Sequence, residues 1–469
     1  MMHQVTTATP CSNKSVKNPK IKKQIRPLPE SLLQVFKTKL ENQNFQFHPR
    51  FTVDEMVDGF SKQVNETFCQ VFPEKTIIIS PLDQPWFNEE LRKIKRTRLR
   101  EYSKNGKSEK YLMIAATFDE KCQAEFEKYM EKMKKEVTEG TRGSLYPTIK
   151  RLGLRPGDAT NNDFHLSNHA ELNLTPSQSA EVIANHFSRI SQDYEALDIT
   201  KLPHHIQLFL QAADSHLVPK ISVQAVRERI TKAKKPKGLV PGDLPKKVVQ
   251  ICTEPLAIPL TAVYNKITRE AQFPKSWKIE QQLAIPKVNP PETEDDLRNL
   301  AKTPFYSKVY EAFIGGWLLP IVRPFLNPDQ CGLKVLSITH YLIKLLNFVH
   351  KTLDMKKPHA VLAACIDMSK AFNRVDHSLL VQDLYDMHTP AWLLKIIISY
   401  LSNRSMYLTY MGARSTEKLL PGGGPQGAYL GGIIFMIKYN GAFLRPPIPR
   451  PLQGPVSKAK AQKVKFIDE

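Results

Sequence analysis

The sequence predicts an α+β protein with a mostly helical N-terminal extension. Stretches up to about residue 140 have helical apolar spacing and paired charges, whereas residues from about 221 onward mix helical patterns with short apolar runs. Short runs of this kind are typical of buried strands. The length of 469 residues suggests several domains, and no internal repeat is present.

The chain is strongly basic. It has 67 Lys and Arg residues against 46 Asp and Glu, and its net charge is +21. This balance favours a polyanionic partner, either nucleic acid or an anionic membrane surface. Membrane binding ranks last, because the basic residues are mixed with Glu and no helix has a clean Lys/Arg face opposite bulky apolar residues. A hydrophobic content of 41% excludes a wholly disordered protein.

Cysteine spacing and hydropathy favour an intracellular location. The six cysteines form no CxxC pair, which argues against a disulfide framework and a local zinc site. The best candidate for a membrane span, Ala312 to Leu326, is interrupted by Pro320, Arg323 and Pro324. The polar N-terminus has no apolar signal region.

The N-terminal half divides by composition into three predicted parts. Residues 1–30 are Lys-rich with several prolines, and are predicted to be a disordered basic tail that is compatible with nuclear import. Residues 31–140 are predicted to be a helical basic region, with a strand at Ile77–Ile79 and a break at Asn105-Gly106. Residues 141–220 are predicted to be a linker with short helices, one of them starting at Thr175 or Ser177.

Two interpretations of the basic helices remain open. Six of the ten residues from Leu91 to Arg100 are basic, and Glu and Lys residues alternate further on. Ion pairs at helical spacing favour a solvated helical hairpin. The alternative is an arm facing nucleic acid, with Tyr102 and Tyr111 stacking on bases. Its predicted nucleic-acid-binding residues are Arg92, Lys93, Arg96, Arg98 and Arg100.

The first motif with chemical meaning is an apolar run that ends in a carboxylate. Val361 to Asp367 is predicted to be a buried strand, and Met368 to Phe372 to begin a helix. A carboxylate at a strand tip is held rigidly enough to bind a metal ion. Asp367 is equally suited to be a helix N-cap, so both interpretations stay open.

The second motif is a glycine-rich turn at residues 422–427. It ends in Pro425-Gln426-Gly427 and precedes an apolar run, Leu430 to Ile437, that predicts a helix. Glycines allow backbone and substrate to approach closely, and Gln426 has the hydrogen-bonding groups to contact a nucleotide. An ordinary Gly/Pro loop is the alternative.

The third motif is the last five residues, in which Phe466-Ile467 precedes Asp468 and Glu469. Alone, it predicts no more than a charged chain end. Together with Asp367, it predicts two strand-tip carboxylates able to chelate two Mg²⁺ ions. Such a pair of ions stabilises both oxygens of a phosphoryl displacement.

In this order the motifs resemble the reverse transcriptase of LINE-type (non-LTR) retrotransposons. That family has an Asp followed by Ser-Lys-Ala-Phe, a Pro-Gln-Gly loop, and an aromatic-x-Asp-Asp turn. The corresponding residues here are Asp367 with Ser369–Phe372, Pro425–Gly427, and Phe466–Glu469. Upstream matches are Lys237–Pro245, Phe273–Lys278, Ile285–Lys287, Leu297–Leu300, Ser307–Glu311 and Asp329–Gly332. The resemblance covers about residues 220–469 firmly and 80–200 loosely.

The resemblance implies a right-hand polymerase fold and an RNA-directed DNA polymerase, which is a nucleotidyltransferase. Fingers are expected at residues 221–345, and a partial palm ending at the catalytic turn at 346–469. The implied partners are an RNA template, a DNA primer and deoxynucleoside triphosphates.

The resemblance also implies a role for each matching residue. Asp367 and Asp468 would bind the two Mg²⁺ ions, with Glu469 as a third catalytic carboxylate. Phe372 would exclude a ribose 2′-hydroxyl. Gln426 and Gly427 would contact the incoming nucleotide and the template. Lys287 and Arg298 would neutralise the charge of the triphosphate. Fixed cations suit a triphosphate on chemical grounds alone, although Arg298 could instead be a surface partner of Asp295 or Asp296.

Three positions depart from the family pattern, with Glu469 replacing the usual Asp, Gly424 the usual Val and Gly432 the usual Pro. An extra methylene at Glu469 shifts its carboxylate, and a misplacement of about 1 Å can lower a rate roughly 100-fold. A separate expectation is that the polymerase is truncated and lacks the thumb and the endonuclease. The alternative function is a catalytically inactive fragment that binds RNA or DNA through its basic residues.

Overall fold

The computed structural model describes residues 21–45, 47–79, 86–138, 164–212, 218–233, 240–327, 330–331, 338–355, 361, 370–440 and 465–466. These residues fall into two compact units. One unit lies within residues 1–28 and 72–158, and the other within residues 29–71 and 159–469.

The helices in chain order are α1 (Glu30–Glu41), α2 (Val53–Val71), α3 (Glu89–Asn105), α4 (Glu109–Thr138), α5 (Ser167–Glu171), α6 (Pro176–Arg189), α7 (His204–Gln211), α8 (Val223–Lys232), α9 (Lys246–Ile251), α10 (Thr253–Glu270), α11 (Lys275–Lys278), α12 (Phe305–Val322), α13 (Ile338–Leu353), α14 (His377–Asp386), α15 (Ala391–Leu401) and α16 (Tyr429–Lys438). The strands are β1 (Ile21–Ile25), β2 (Lys75–Ile79), β3 (Ile279–Pro286), β4 (Leu297–Lys302), β5 (Gln330–Cys331), β6 (Arg404–Tyr410), β7 (Ala413–Arg414), β8 (Lys418–Leu420) and β9 (Lys465–Phe466). Within the described ranges, no helix combines the length and the apolar character needed to cross a membrane.

The first unit contains a two-stranded sheet. β1 pairs antiparallel with β2, so that Ile21 lies opposite Ile79 and Ile25 opposite Lys75. The prediction of a disordered tail is therefore wrong for residues 21–25. Its partner strand, which includes the predicted Ile77–Ile79 run, is about 50 residues away in sequence, and local composition does not reveal such a pairing. Residues 1–20 of the tail lie outside the described ranges.

A helical hairpin, α3 and α4, forms the rest of the described first unit. Asn88 begins α3 by accepting a 2.9 Å hydrogen bond from the Leu91 backbone N–H. Gly106 ends it at φ 58°, a value that glycine adopts without strain. The predicted break at Asn105-Gly106 is confirmed. The predicted region 31–140 is divided between the two units, because α1 and α2 belong to the second.

The second unit is organised around a five-stranded mixed sheet. The strand order is β4-β3-β6-β7. β8 pairs with residues 404–406 of β6, and β7 pairs with residues 409–410 of the same strand. β3 runs parallel to β6, while the other pairings are antiparallel. This mixture of helices and sheet confirms the predicted α+β class. β3 and β4, from residues 279–302, share this sheet with β6, β7 and β8, from residues 404–420.

Helix α6 covers one face of this sheet. Thr175 Oγ1 accepts a hydrogen bond from the Gln178 N–H, and Gln178 Oε1 accepts one from the Thr175 N–H at 2.9 Å, so the two residues form a capping box. The core that α6 shares with the sheet includes Ala180, Ile183, Ala184, Phe187, Met406 and Leu408. The predicted helix start at Thr175 is confirmed. The prediction of a linker is wrong for this segment, because its apolar residues complete a core.

Candidate active site

The glycine-rich turn leads into α16, as the sequence predicts. Gly423 and Gly427 have φ values of 89° and 110°, a region that favours glycine. Gly431, in the first turn of α16, allows an unusually close approach. A Cβ atom built there would lie 2.3 Å from the carbonyl oxygen of Pro425. The turn and the helix therefore pack together more closely than any side chain at this position would allow.

The segment after Asp367 does not begin an α-helix where its residues are described. Lys370 has a left-handed backbone with φ 52°, and residues 371–374 form one 3₁₀ turn. Asp376 then caps α14 by accepting a 2.9 Å hydrogen bond from the Leu379 N–H. The helix predicted to begin at Met368 to Phe372 is only the one-turn 3₁₀ helix Ala371–Arg374, and the α-helix begins after the cap at Asp376. Residues 368 and 369 lie outside the described ranges.

This 3₁₀ segment and the glycine turn are joined by backbone hydrogen bonds. The Gly424 N–H donates to the Phe372 carbonyl at 2.8 Å, and the Gly423 N–H donates to the Val375 carbonyl at 2.7 Å. His377 Nε2 lies 2.6 Å from the Gly423 carbonyl oxygen, which places an N–H donor at that atom. Burial lowers the pKa of His377 to about 4, so its ring is neutral at pH 7.

The Phe372 ring is held by α16. It stacks on Phe435 with 4.5 Å between ring centroids and 21° between ring planes. Phe435 in turn contacts Tyr439, whose hydroxyl donates to the Ala371 carbonyl at 2.9 Å. A locked ring suits the steric role that the resemblance implies for Phe372.

The Pro-Gln-Gly turn also lies against β4. The Ala301 N–H donates to the Gln426 carbonyl at 3.0 Å. A Cβ atom at Gly427 would lie 2.9 Å from the Ala301 carbonyl oxygen. Gln426 and Gly427 are therefore positioned beside the strand that carries Arg298.

Lys287 and Arg298 are exposed side chains near the loop of the β3–β4 hairpin. Arg298 lies opposite Ile285 in the β3–β4 register, and Lys287 is two residues beyond Ile285 on the same face. Lys287 Nζ donates to the Asp295 carbonyl at 2.7 Å. Among the described residues, Arg298 forms no ion pair with Asp295 or Asp296, so the surface-partner interpretation finds no support there.

A polar cluster with one ion pair, Lys370–Asp295, connects the turn of this hairpin to the 3₁₀ segment. Lys370 Nζ lies 3.2 Å from the Asp295 carboxylate, and His186 Nε2 lies 3.4 Å from it. The Lys370 hydrogen bond lowers the pKa of Asp295, while burial followed by the Lys370 charge lowers the pKa of His186. Three parts of the chain that are distant in sequence thus meet around one carboxylate.

A buried charge network lies behind the turn, and the sequence analysis did not find it. Arg404 Nη2 pairs with Glu280 at 3.2 Å, and each side chain is 2% exposed. Glu311 is fully buried and accepts hydrogen bonds from Ser307 Oγ at 3.0 Å and from the Leu430 N–H at 3.3 Å. Burial raises the pKa of both Glu280 and Glu311. Glu311 therefore stabilises the N-terminus of α16, the helix that follows the turn.

A sequence signal for one member of this network exists. Glu311 is a single acid in the apolar helix α12, between Tyr310 and Ala312. An isolated acid in such a run indicates a buried, partnered carboxylate. The sequence does not show its partners, since Leu430 is 119 residues away.

The predicted metal ligands Asp367 and Asp468, and the third predicted catalytic carboxylate, Glu469, lie outside the described residues. Shortly before Asp468 in the sequence, Lys465 and Phe466 form β9, which pairs in parallel with β5. No group of three His, Cys, Asp or Glu side chains suited to a metal ion occurs in the described ranges. The donor chemistry fits Mg²⁺, because carboxylate oxygens are the ligands it takes.

The helical hairpin separates the five predicted nucleic-acid-binding residues into two groups. Arg98 faces α4, with its guanidinium 4.4 Å from the Phe118 ring centroid and 3.8 Å from the Asp119 carboxylate. Arg92 is half-buried. The remaining three are exposed: Lys93, Arg96 and Arg100. Tyr102 and Tyr111, the proposed base-stacking residues, contact each other at 5.3 Å between ring centroids.

A comparison with protein families finds a match in the C-terminal half of the chain. The family model described as reverse transcriptase (RNA-dependent DNA polymerase) matches residues 285–447. The chain carries a reverse transcriptase domain. The matched range includes Lys287, Arg298, Asp367, Phe372 and the Pro425–Gly427 turn.

The curated relatives that the chain resembles are RNA-directed DNA polymerases of mobile elements and transposons. The RNA-directed DNA polymerase from mobile element jockey of Drosophila melanogaster is 22% identical over 424 residues, covering 86% of this chain and 45% of that protein. The jockey polymerase of Drosophila funebris is 27% identical over 274 residues, 56% of this chain and 29% of that protein. The probable RNA-directed DNA polymerase from transposon BS of Drosophila melanogaster is 27% identical over 287 residues, 57% of this chain and 30% of that protein. The chain thus spans less than half the length of these relatives.

Proposed function

We propose that the reverse transcriptase domain catalyses RNA-templated DNA synthesis by a two-metal mechanism. Its substrates would be deoxynucleoside triphosphates and a DNA primer paired to an RNA template. The observation that carries the proposal is the direct contact of three segments, which supply Arg298, Phe372 and Gln426. The hydrogen bonds from Gly424 to Phe372 and from Ala301 to Gln426 support a common site for them.

The residues of this chain would divide the work of binding the nucleotide. Lys287 and Arg298, both exposed on one hairpin, would neutralise the triphosphate, and Arg298 offers two parallel donors. The stacked ring of Phe372 would block a 2′-hydroxyl. Gln426 and Gly427 would contact the base and the template, held in place by Ala301 and by Glu311 behind α16.

Asp367 and Asp468 would hold the two Mg²⁺ ions, with Glu469 beside them. When bound, the ions would stabilise the charge that develops on the attacking and leaving oxygens. The attacking group is the primer 3′-hydroxyl and the leaving group is pyrophosphate.

Primer extension on an oligo(dT)-primed poly(rA) template, with Mg²⁺ and then Mn²⁺, tests this proposal. The purified 469-residue chain would be compared with Asp367→Ala. We expect extension by the natural chain and none by the variant. Absence of extension by a folded chain that binds the primer–template would overturn the proposal and leave the inactive nucleic-acid-binding alternative.

Substitution of Arg298 tests the role of the hairpin. Arg298→Gln is expected to lower kcat/KM for dTTP about 10- to 100-fold, since a hydrogen bond to a charged group contributes about 1.5–3 kcal/mol. The matched control is Arg269→Gln, an exposed arginine whose side chain is 67% accessible at the end of α10. Equal effects of the two substitutions would rule out a specific role for Arg298.

A further inference from the structure

The outward face of α3 carries a straight row of cations. Lys93, Arg96, Arg100 and Lys104 follow one another at intervals of three, four and four residues, and this spacing places them on one face of a helix. All four are exposed. At about 1.5 Å per residue, this cationic row is roughly 16 Å long.

The opposite face of α3 forms the seam with α4. Its residues follow the same spacing and are Leu91, Ile94, Arg98 and Tyr102. Leu91 is 1% exposed, Arg98 stacks on Phe118, and Tyr102 contacts Tyr111. Because the seam holds the hairpin together, the cationic row has to face away from α4.

The nearby acids have their closest partners outside the row: the hydrogen bonds from Lys121 and Asn105 lower the pKa of Glu90 and Glu101 most, and the charges of Lys93 and Lys104 lower it least. Glu90 pairs with Lys121, and Glu101 accepts a hydrogen bond from Asn105 and lies 3.9 Å from Lys110. No ion pair of the cationic row occurs in the described part of the chain. Glu89, one turn before Lys93, shares this face at the start of the helix. The row therefore remains a concentrated positive charge.

We propose that the cationic row binds the phosphate backbone of nucleic acid, independently of sequence and as a contact additional to the polymerase site. A linear set of point charges on a convex helix is complementary to a linear polyanion. No aromatic side chain lies on this face, so it would contact phosphates and not bases. The proposal includes Lys104, which the sequence analysis omitted, and excludes Arg98, which the seam uses.

Salt dependence of binding by the full 469-residue chain tests the proposal. Fluorescence anisotropy would measure the affinity for a labelled duplex DNA, and for a single-stranded RNA, over a series of salt concentrations. For duplex DNA, the triple substitution Lys93→Gln, Arg96→Gln and Arg100→Gln is expected to reduce the slope of log K against log salt by about 2.7, or 0.9 for each lost phosphate contact. Affinity at moderate salt is expected to fall about tenfold or more.

The matched control removes the same net charge elsewhere. Lys128, Lys201 and Lys232 are exposed, and each pairs with a neighbouring acid. Their triple substitution to Gln is expected to change the slope by less than about one phosphate contact. Equal losses in the two triple variants, or an unchanged slope in the first, would overturn the proposal, provided that circular dichroism shows both variants folded.

A second arm distinguishes the partner. The natural chain and the triple variant of the cationic row would both be tested for binding to phosphatidylserine vesicles. If the variant loses vesicle binding but binds nucleic acid as the natural chain does, the proposal is overturned in favour of a membrane surface. Primer extension is scored separately. A chain that extends no primer but shows the difference in slope contradicts the polymerase function and supports the cationic row.

Discussion

The helical hairpin and the reverse transcriptase domain use charge in opposite ways. In α3 the arginines and lysines are mostly exposed, and the ion pairs around them join solvent-accessible side chains. In the second unit, which includes the reverse transcriptase domain, Arg404 and Glu280 are each 2% exposed and pair with each other. The net charge of +21 therefore describes the surface and the partners it attracts. The charges behind the glycine-rich turn, Arg404, Glu280 and Glu311, are buried, and composition does not reveal them.

Removal of Arg404 should have the largest effect on stability. Arg404→Met leaves the Glu280 carboxylate buried without its cation, and this is expected to lower the free energy of unfolding by about 3–5 kcal/mol. Chemical denaturation of the purified chain measures it. The double variant Arg404→Met with Glu280→Met should recover much of the loss, and a loss well below 1 kcal/mol in the single variant would show that the pair is not buried.

Titration of His377 should give the next largest effect. Its pKa is lowered to about 4 by burial, against about 6.5 in an unfolded chain. Between these values the unfolded chain binds a proton and the folded chain does not, so stability falls as the pH falls from about 6.5 to 4. The shift corresponds to about 3 kcal/mol.

The variant His377→Gln isolates this contribution. The free energy of unfolding of both proteins would be measured by denaturation from neutral to acidic pH. As the pH falls, it should decrease less for the variant than for the natural chain, because the variant has no His377 to protonate. The Gln side chain can still donate to the Gly423 carbonyl, so the comparison separates protonation from the hydrogen bond. A constant difference between the two proteins across this pH range would contradict the prediction.

Two glycine substitutions contrast a tight site with an open one. Gly431→Ala would place a methyl group 2.3 Å from the Pro425 carbonyl, and overpacking of this kind is expected to lower stability by about 1–3 kcal/mol. It should also raise the KM for deoxynucleoside triphosphates, since the Pro-Gln-Gly turn has to move. Gly59→Ala in α2 meets no atom within 4 Å and is expected to stabilise by about 0.5–1 kcal/mol. Thermal unfolding would measure the Tm of both variants. A shift of both Tm values in the same direction relative to the natural chain would contradict the contrast.

The smallest expected effect separates the two faces of the hairpin. Arg98→Met removes the cation from the Phe118 ring and is expected to lower stability by about 1 kcal/mol or less. The salt slope of DNA binding should not change, because Arg98 lies in the seam. A decrease in that slope similar to the effect of Arg100→Gln would show that Arg98 also contacts phosphates.

Local chemistry predicted much of the fold, and distant pairing limited the rest. The cap at Thr175, the break at Gly106 and the helix after Gly427 follow from rules that act within a few residues. The strand at Ile21–Ile25 and the core position of Phe187 depend on partners far along the chain. The site shows the same division. Gln426 and Gly427 were found from a contiguous motif, whereas Glu280, Glu311 and Arg404 act together only after folding.

The parallel pairing of β3 with β6 sets an order of events during synthesis. Glu280 and Arg404 are 124 residues apart, so a ribosome adding about 5–20 residues per second makes the cation roughly 6–25 s after the carboxylate. During this interval the β3–β4 hairpin has made none of its contacts with β6, and one edge of β3 is available to other strands. The nascent chain is then most exposed to aggregation, and a chaperone that covers this edge until Arg404 emerges would have its greatest effect there.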